Sequence, residues 1–206
     1  MWKVAMYGLW FWAALSVAAS PCSAKRGVEF SDVRGGSGYF LFGHYGRSGF
    51  SAYLHAKSLR FPDAEFQGFF ELDGVMYQHV FVPREKYLPP LELDDRDELQ
   101  HHYEWELAHL RDTAKREAEL KLGKQTNYGA VEPEARSGEP RTFWIWDAEI
   151  ADAKQIWVTT RVPDGIVAIT ALGYTRAQEP QVRAVVDNYM YRFELCKEVP
   201  AILAPQ

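Results

Sequence analysis

Three side chains of the types that bind transition metals lie close together in one predicted helical segment. His102, Glu106 and His109 fall within about 60° of one another on a helix that turns about 100° per residue. Two imidazoles and a carboxylate leave a coordination position open, as in catalytic zinc and non-haem iron sites. The alternative is that these three side chains lie beside the apolar stripe of the helix and face water. The HExxH spacing of zinc proteases is absent. A metal ion is therefore the only cofactor that the sequence suggests.

A second group of chemically capable side chains follows the predicted strand at residues 142–148. Asp147 and Glu149 share one face of that strand, and Asp152 is close by. Paired carboxylates divide the roles of acid and base when their surroundings separate their pKa values. Acids near a strand end are also commonly solvated, and no second aromatic and acidic cluster supports a glycosidase-like pair. No catalytic residue is assigned.

Three tryptophans, Trp144, Trp146 and Trp157, are predicted to lie in adjacent strands. Side by side, they would form a platform for a sugar or a peptide. Aromatic residues between a sheet and its helices more commonly fill the core, and the sequence favours that interpretation. Any member of the set that is exposed would mark a binding surface.

Two helices are predicted to position these groups. Residues 94–122 form a long helix that begins with four acids and ends at Gly123, because carboxylates stabilise the positive end of the helix dipole. Its apolar stripe consists of Leu99, Tyr103, Leu107, Leu110, Ala114 and Ala118. A single stripe indicates packing on a sheet rather than inside a bundle. Pro180 suits the first turn of a shorter helix that runs to about Leu195.

The remaining pattern is that of strands and tight turns. Asp73-Gly74 and Pro163-Asp164-Gly165 predict two hairpins, and the strand at 142–148 is apolar on both sides, as an inner strand is. Residues 124–141 are predicted to be a loop with at most one short strand. The predicted strands are residues 39–42, 50–59, 66–72, 75–82, 142–148, 156–162 and 166–172.

This order of elements predicts an α+β fold, in which one long and one shorter helix pack on an antiparallel β-sheet in the manner of an α/β/α sandwich. The predicted organisation is a signal peptide at residues 1–24, a flexible lead-in at 25–38, a single α+β domain at 39–198 and a tail at 199–206. The domain is long enough to bury a core of its own.

The first residues have the layout of a secretory signal. Lys3 precedes an uncharged run at residues 4–19 and a stretch of small residues to Ala24, which predicts cleavage after Ala24 and a secreted or periplasmic location. The alternatives are an uncleaved membrane anchor, favoured by Lys25-Arg26, and lipidation at Cys22. The net charge of −5 and the absence of a Lys/Arg cluster argue against nucleic acid and against anionic lipid as partners.

Only two cysteines, Cys22 and Cys196, occur in the sequence. If Cys22 leaves with the signal, no disulfide within the chain is possible, and Cys196 is expected to be an unpaired, half-buried thiol at a helix end. An intermolecular disulfide through Cys196 is the alternative.

The succession of elements over residues 39–195 resembles the PsbP-like superfamily, which includes a thylakoid lumen subunit of photosystem II and the periplasmic DcrB-type proteins. The most similar stretch runs from Phe143-Trp144-Ile145-Trp146 through Ile156-Trp157-Val158-Thr159 to the final helix. These residues form a core pattern, not a signature motif. The resemblance implies a non-enzymatic binding or assembly protein.

The sequence therefore predicts an exported binding or accessory protein whose partner is another protein or an envelope component, contacted through a sheet edge or an aromatic surface. One alternative is a metal-dependent or other hydrolase with its site near His102, Glu106 and His109. Another is a membrane-anchored structural subunit, if the first segment is retained.

Overall fold

The structure is a computed structural model that describes residues 27–32, 38–45, 48–62, 68–87, 92–117, 120–133 and 140–196. The predicted signal peptide at residues 1–24 and the predicted tail at 199–206 lie outside these residues. The strands are β1 (Gly27–Asp32), β2 (Tyr39–Tyr45), β3 (Ser48–Leu54), β4 (Leu59–Arg60), β5 (Phe69–Leu72), β6 (Val75–Pro83), β7 (Leu122–Val131), β8 (Phe143–Ile150), β9 (Ala153–Val162), β10 (Gly165–Tyr174) and β11 (Glu194–Leu195); the helices are α1 (Asp95–Arg116) and α2 (Glu179–Tyr191).

The strands form two antiparallel sheets. The larger sheet has seven strands in the order β4-β5-β6-β10-β9-β8-β7, and the smaller has the order β1-β2-β3-β11. Helix α1 packs on one face of the large sheet, while α2 lies on the other face and also contacts β3 of the small sheet. The predicted α+β class with one long and one shorter helix is confirmed. The prediction of one sheet is wrong, because the first strands form a second sheet.

Alternation of side chains along each inner strand separates two cores. Ile145, Val158 and Ile169 belong to the core shared with α2 and the small sheet. Trp144 and Ile166, on the opposite face of the sheet, belong to the core beneath α1. Successive side chains of a strand point to opposite faces, so a strand that is apolar at every position must be covered on both sides. This confirms the predicted inner strand at residues 142–148.

Both predicted hairpins are present. Leu72 pairs with Val75 across a turn in which Asp73 and Gly74 have φ angles of 48° and 81°, a conformation that suits Asp-Gly. The Asp73 carboxylate also accepts a hydrogen bond of 2.7 Å from the backbone N–H of Ser58, which ties the turn to the segment before β4. The second hairpin pairs Val162 with Gly165.

The long helix is shorter than predicted. Asp94 caps its first turn by accepting a hydrogen bond from the Asp97 N–H at 2.8 Å, but the helix ends at Arg116 rather than at Leu122. Leu122 instead pairs with Ile150 and begins β7. The predicted loop at 124–141 is therefore wrong over most of its first half, since β7 continues to Val131.

A buried carboxylate fastens α1 to the large sheet. Glu98 is fully buried and accepts hydrogen bonds from Tyr87 Oη at 2.6 Å and from Arg84 Nη2 at 2.7 Å. The Nε of Arg161, on β9, lies 3.1 Å from the same carboxylate. Two guanidinium groups and a phenol thus satisfy a charge that would otherwise be costly to bury.

Cys196 is disulfide-bonded, which contradicts the expectation of an unpaired thiol. It follows β11, and its backbone N–H donates to the Gly49 carbonyl of β3 at 2.8 Å. The only other cysteine of the sequence, Cys22, lies outside the described residues. The bond and cleavage after Ala24 are mutually exclusive, because that cleavage would remove Cys22.

We expect Glu98→Gln to lower the free energy of unfolding by about 3 kcal/mol, since two half-buried guanidinium groups lose the counter-charge of a fully buried carboxylate. Urea denaturation measures the change. Asp112→Asn is the matched control, because Asp112 and its partner Lys115 are 70% and 78% exposed and should alter stability by no more than about 0.5 kcal/mol. Equal effects of the two substitutions on stability would contradict the role of the buried Glu98 carboxylate in holding α1 on the sheet.

We expect the full-length protein, which retains Cys22, to resist thiol alkylation until its disulfide is reduced. Reduction alone, before labelling, should add the mass of two hydrogen atoms. Reduction, or Cys196→Ser, should lower stability by about 2–4 kcal/mol, because the bond restricts the unfolded chain. Intact-mass spectrometry with and without reductant makes the measurement. Labelling of Cys196 in unreduced monomer would show that the bond is absent.

Candidate functional site

Side chains alternate between the two faces of β8, and this places two carboxylates beyond the edge of the apolar core. Phe143 and Ile145 face the core that contains α2, and Asp147 and Glu149 continue on the same face by the period of two. The predicted shared face of these acids is confirmed by their place in one groove. The groove lies where β7, β8 and β9 meet the segment that leads into α2.

This groove has a volume of about 330 Å³ and is lined by charged and polar side chains from five neighbouring segments. Asp147 pairs directly with Thr126 of β7, and Glu149 pairs with Lys154 of β9. The lining residues are Lys124, Thr126, Tyr128, Asp147, Ala148, Glu149, Lys154, Arg176 and Glu179.

Two linked hydrogen bonds lie along one wall of the groove. Tyr128 Oη donates to Asp147 Oδ2 at 2.5 Å, and Arg183 Nη2 donates to Tyr128 Oη at 3.1 Å. The Arg183 guanidinium carbon also lies 5.0 Å from the centre of the Tyr128 ring, within range of a cation–π contact. Partial burial and the bond to Asp147 raise the pKa of Tyr128, so its phenol is neutral and oriented.

A second pair crosses the groove between the sheet and α2. Lys154 Nζ lies 2.7 Å from Glu179 Oε2, and this hydrogen bond lowers the pKa of the Glu179 carboxyl. Glu179 and Arg183 are one helical turn apart, with 3.9 Å between their charged atoms. The groove therefore presents fixed charges of both signs, which suits it to bind a ligand by complementary polar contacts.

A buried tyrosine lies beside these charges. Tyr174 is only 2% exposed, pairs with Lys154 across the sheet, and its hydroxyl has no hydrogen-bond partner among the described residues. Its pKa is raised to about 12, chiefly by burial; Arg183 lowers the pKa, whereas Glu179 and Asp147 raise it. Its hydroxyl is thus a neutral donor within electrostatic reach of the groove.

The three residues predicted to bind a metal ion differ in their exposure to solvent. His102 is 1% exposed and packs edge-on against the Tyr87 ring, with the ring centres 5.0 Å apart. Its Nε2 lies 3.8 Å from Glu106 Oε1, whereas His109 is exposed and stacks on Trp105. Within the described part of the chain, no three His, Cys, Asp or Glu side chains are arranged to hold a metal ion.

The predicted tryptophan surface is not a platform of three rings. Trp144 and Trp146 are 5% and 1% exposed and pack beneath α1 against Tyr103, which confirms the favoured core interpretation for these two. Trp157 stacks on Trp146 with 3.9 Å between ring centres and is half-buried. Only Trp157 keeps a partly open edge.

Sequence reasoning missed most of the groove because it missed β7. Two irregularities in the pairing of β7 with β8 interrupt the alternation that reveals a strand. Lys124 and Tyr128 therefore had no assigned face. The contributions of Glu179 and Arg183 depend on where α2 crosses the sheet, which no local pattern specifies.

Comparison with known proteins gives a fold likeness only. No family model matches the chain, and no curated protein sequence matches it. Among solved structures, the chain is similar to cyanobacterial PsbP (CyanoP) from Synechocystis sp. PCC 6803, over 87% of this chain and 99% of that one, with 9% sequence identity and a TM-score of 0.44. A likeness this distant carries no functional argument.

In the part of the chain that the structure describes, neither helix has the length and apolar character required to span a membrane.

The buried state of His102 predicts a pH dependence of stability. Burial lowers its pKa from 6.5 to about 4, so the unfolded state binds more protons between these values and stability falls as the pH drops through them. We expect His102→Phe to lessen this loss by about 3 kcal/mol between pH 7 and pH 4, as measured by urea denaturation at each pH. The exposed His109→Gln is the control, and the same pH dependence in wild type and His102→Phe would contradict the assignment.

Proposed function

We propose that the chain is an exported, non-enzymatic binding or accessory protein that acts on a protein or envelope partner, and that it holds this partner at the polar groove. The observation that carries the proposal is the cluster of charged side chains of both signs beside β7. Lys124, Asp147, Glu149, Lys154 and Glu179 all line that groove.

The position of β7 suits it to meet an extended polypeptide. It is the last strand of the seven-stranded sheet, and an edge strand offers backbone N–H and C=O groups to a segment that pairs with it. Lys124, Thr126 and Tyr128 alternate along β7 toward the groove, at the spacing of side chains in an extended partner. Backbone pairing would supply affinity, and the groove would supply specificity.

The protonation states of the groove favour binding over proton transfer. The pKa of Tyr128 is raised and that of Glu179 is lowered, so both move away from neutral pH, where a general acid or base is most effective. The alternative hydrolase site gains no support, because His102 lies 1% exposed beneath α1, out of reach of a substrate.

The proposed location is secreted or periplasmic, with membrane attachment only if the N-terminal segment is uncleaved. The predicted signal at residues 1–24 is one support. The disulfide at Cys196 also supports an oxidising compartment, where such bonds persist, but it does so with the N-terminal segment retained, because cleavage after Ala24 would remove Cys22.

We expect a photo-crosslinking amino acid at position 124 to capture a discrete partner in the native host. Position 115 on α1 is the matched control, since Lys115 is a 78% exposed lysine on the opposite face of the large sheet. Gel mobility and mass spectrometry identify the adducts. The same adducts at both positions, or none at position 124, would contradict docking at the groove.

A further inference from the structure

We propose that export processing cuts the chain after Ala19 rather than after Ala24, and that the residues left before β1 cross the outer face of the small sheet, the face turned away from the core, where a disulfide joins Cys22 to Cys196. This inference rests on the exported location proposed above, and adds to it the processing site and the bond that holds the new N-terminus.

The first argument is the direction of the Cys196 side chain. Leu195, directly before it, pairs with Phe50 and packs against the core that the small sheet shares with α2. Because side chains alternate along a strand, Cys196 lies on the outer face. A side chain at Gly49 would begin only 3.1 Å from the Cys196 Cβ and 3.4 Å from its Sγ, so the sulfur lies over Gly49 on that face.

The second argument is the distance from Cys196 to the start of β1. Gly27, the first residue of β1, pairs with His44 of β2, and His44 pairs with Gly49 of β3. The Cys196 N–H donates to the Gly49 carbonyl, so these four residues form one row across the small sheet. Neighbouring strands lie about 4.8 Å apart, which puts Gly27 about 14 Å from Cys196.

The length of chain between Cys22 and Gly27 matches this distance. Five residues along the chain separate them, and an extended chain of that length spans at most about 17 Å. The two Cα atoms of a disulfide lie about 5.5 Å apart. Cys22 is therefore within reach of Cys196 of its own chain, by a short and extended path across the outer face.

The outer face suits this segment in polarity and charge. Phe40 is 37% exposed, and its ring centre lies 6.0 Å from that of Phe42 on the same face, so the face offers apolar surface to a segment that covers it. Glu194 is exposed and lies on the same face as Cys196. Its negative charge complements Lys25-Arg26, directly before β1.

The sequence offers a processing site that keeps Cys22. Signal cleavage sites have small residues, as in Ala-x-Ala, at the last position before the cut and two positions earlier. Ala19 ends the uncharged run at residues 4–19 and follows Val17, a short aliphatic residue, at that spacing. Cys196 is disulfide-bonded, and a cut after Ala24 would remove the only other cysteine of the sequence.

Both covalent steps balance. The cut is a hydrolysis, in which a signal peptidase adds one water molecule across the Ala19–Ser20 peptide bond. Closing the disulfide removes two protons and two electrons from the Cys22 and Cys196 thiols, and a thiol–disulfide oxidoreductase of the oxidising compartment accepts them.

The test expresses the full-length chain in a host that exports it, and reads the intact mass of the exported protein. We expect the mass of residues 20–206, lower by two hydrogen atoms until a reductant is added. Proteolysis without reductant should release a linked pair of peptides that contains Cys22 and Cys196, and a non-reducing gel should show monomer.

We expect Ala19→Leu to abolish the processed form, because a bulky side chain stands where the cut requires a small one. Ala24→Leu is the matched control, since it makes the same substitution at the other candidate site and should leave processing unchanged. The two exported fractions are compared by gel mobility and intact mass.

We expect Cys22→Ser in the processed chain to speed hydrogen exchange of the β1 amides by about tenfold or more, because the bond no longer restrains the segment before β1. Amides of β10, in the large sheet, should change less. Cys196→Ser should have the same effect as Cys22→Ser, and the double substitution should add nothing further, since all three remove one bond.

An exported protein that begins at Lys25, carries a lipid at Cys22 or forms a disulfide-linked dimer would overturn the inference. So would normal processing of Ala19→Leu, or β1 exchange that is unchanged in Cys22→Ser. An exported chain that begins at Lys25 would leave the exported location intact, and crosslinking at position 124 tests docking at the groove separately. A chain that still begins at Met1 would overturn the cut, and a cytosolic one would overturn the exported location as well.

Discussion

The register of β8 between β7 and β9 is the constraint on which the rest of the structure depends. In this register Trp146 meets Trp157 and Asp147 meets Thr126. Because side chains alternate with a period of two, a shift by one residue would exchange the faces of the whole strand. The tryptophans would then leave the α1 core, and the carboxylates would enter it.

The two faces of the large sheet are covered in different ways. The face beneath α1 is closed by aromatic packing and by the buried Glu98, which holds the first turn of the helix against Arg84 and Arg161. On the other face, Asp147 and Glu149 lie beyond the apolar core that α2 shares, in the groove. The buried acid thus fixes one side of the sheet, while the acids on the other side stay accessible to a ligand.

Much of the fold could be predicted because its signals are local. The hairpin at Asp73-Gly74 and the doubly buried strand with Trp144 and Trp146 follow from turn chemistry and periodicity. The small sheet could not be predicted, since its pairing of β3 with β11 joins distant segments. The groove depends on two such non-local features: the pairing of β7 with β8 and the position of α2 on the sheet.

Cross-strand nuclear Overhauser contacts in the labelled protein test the β8 register most directly. We expect backbone contacts between Thr126 and Asp147 and between Trp146 and Trp157, together with ring contacts from Trp146 to Tyr103 of α1. Contacts displaced by one residue, with Asp147 close to Tyr103, would place the carboxylates on the α1 face and contradict both the groove and the function proposed for it.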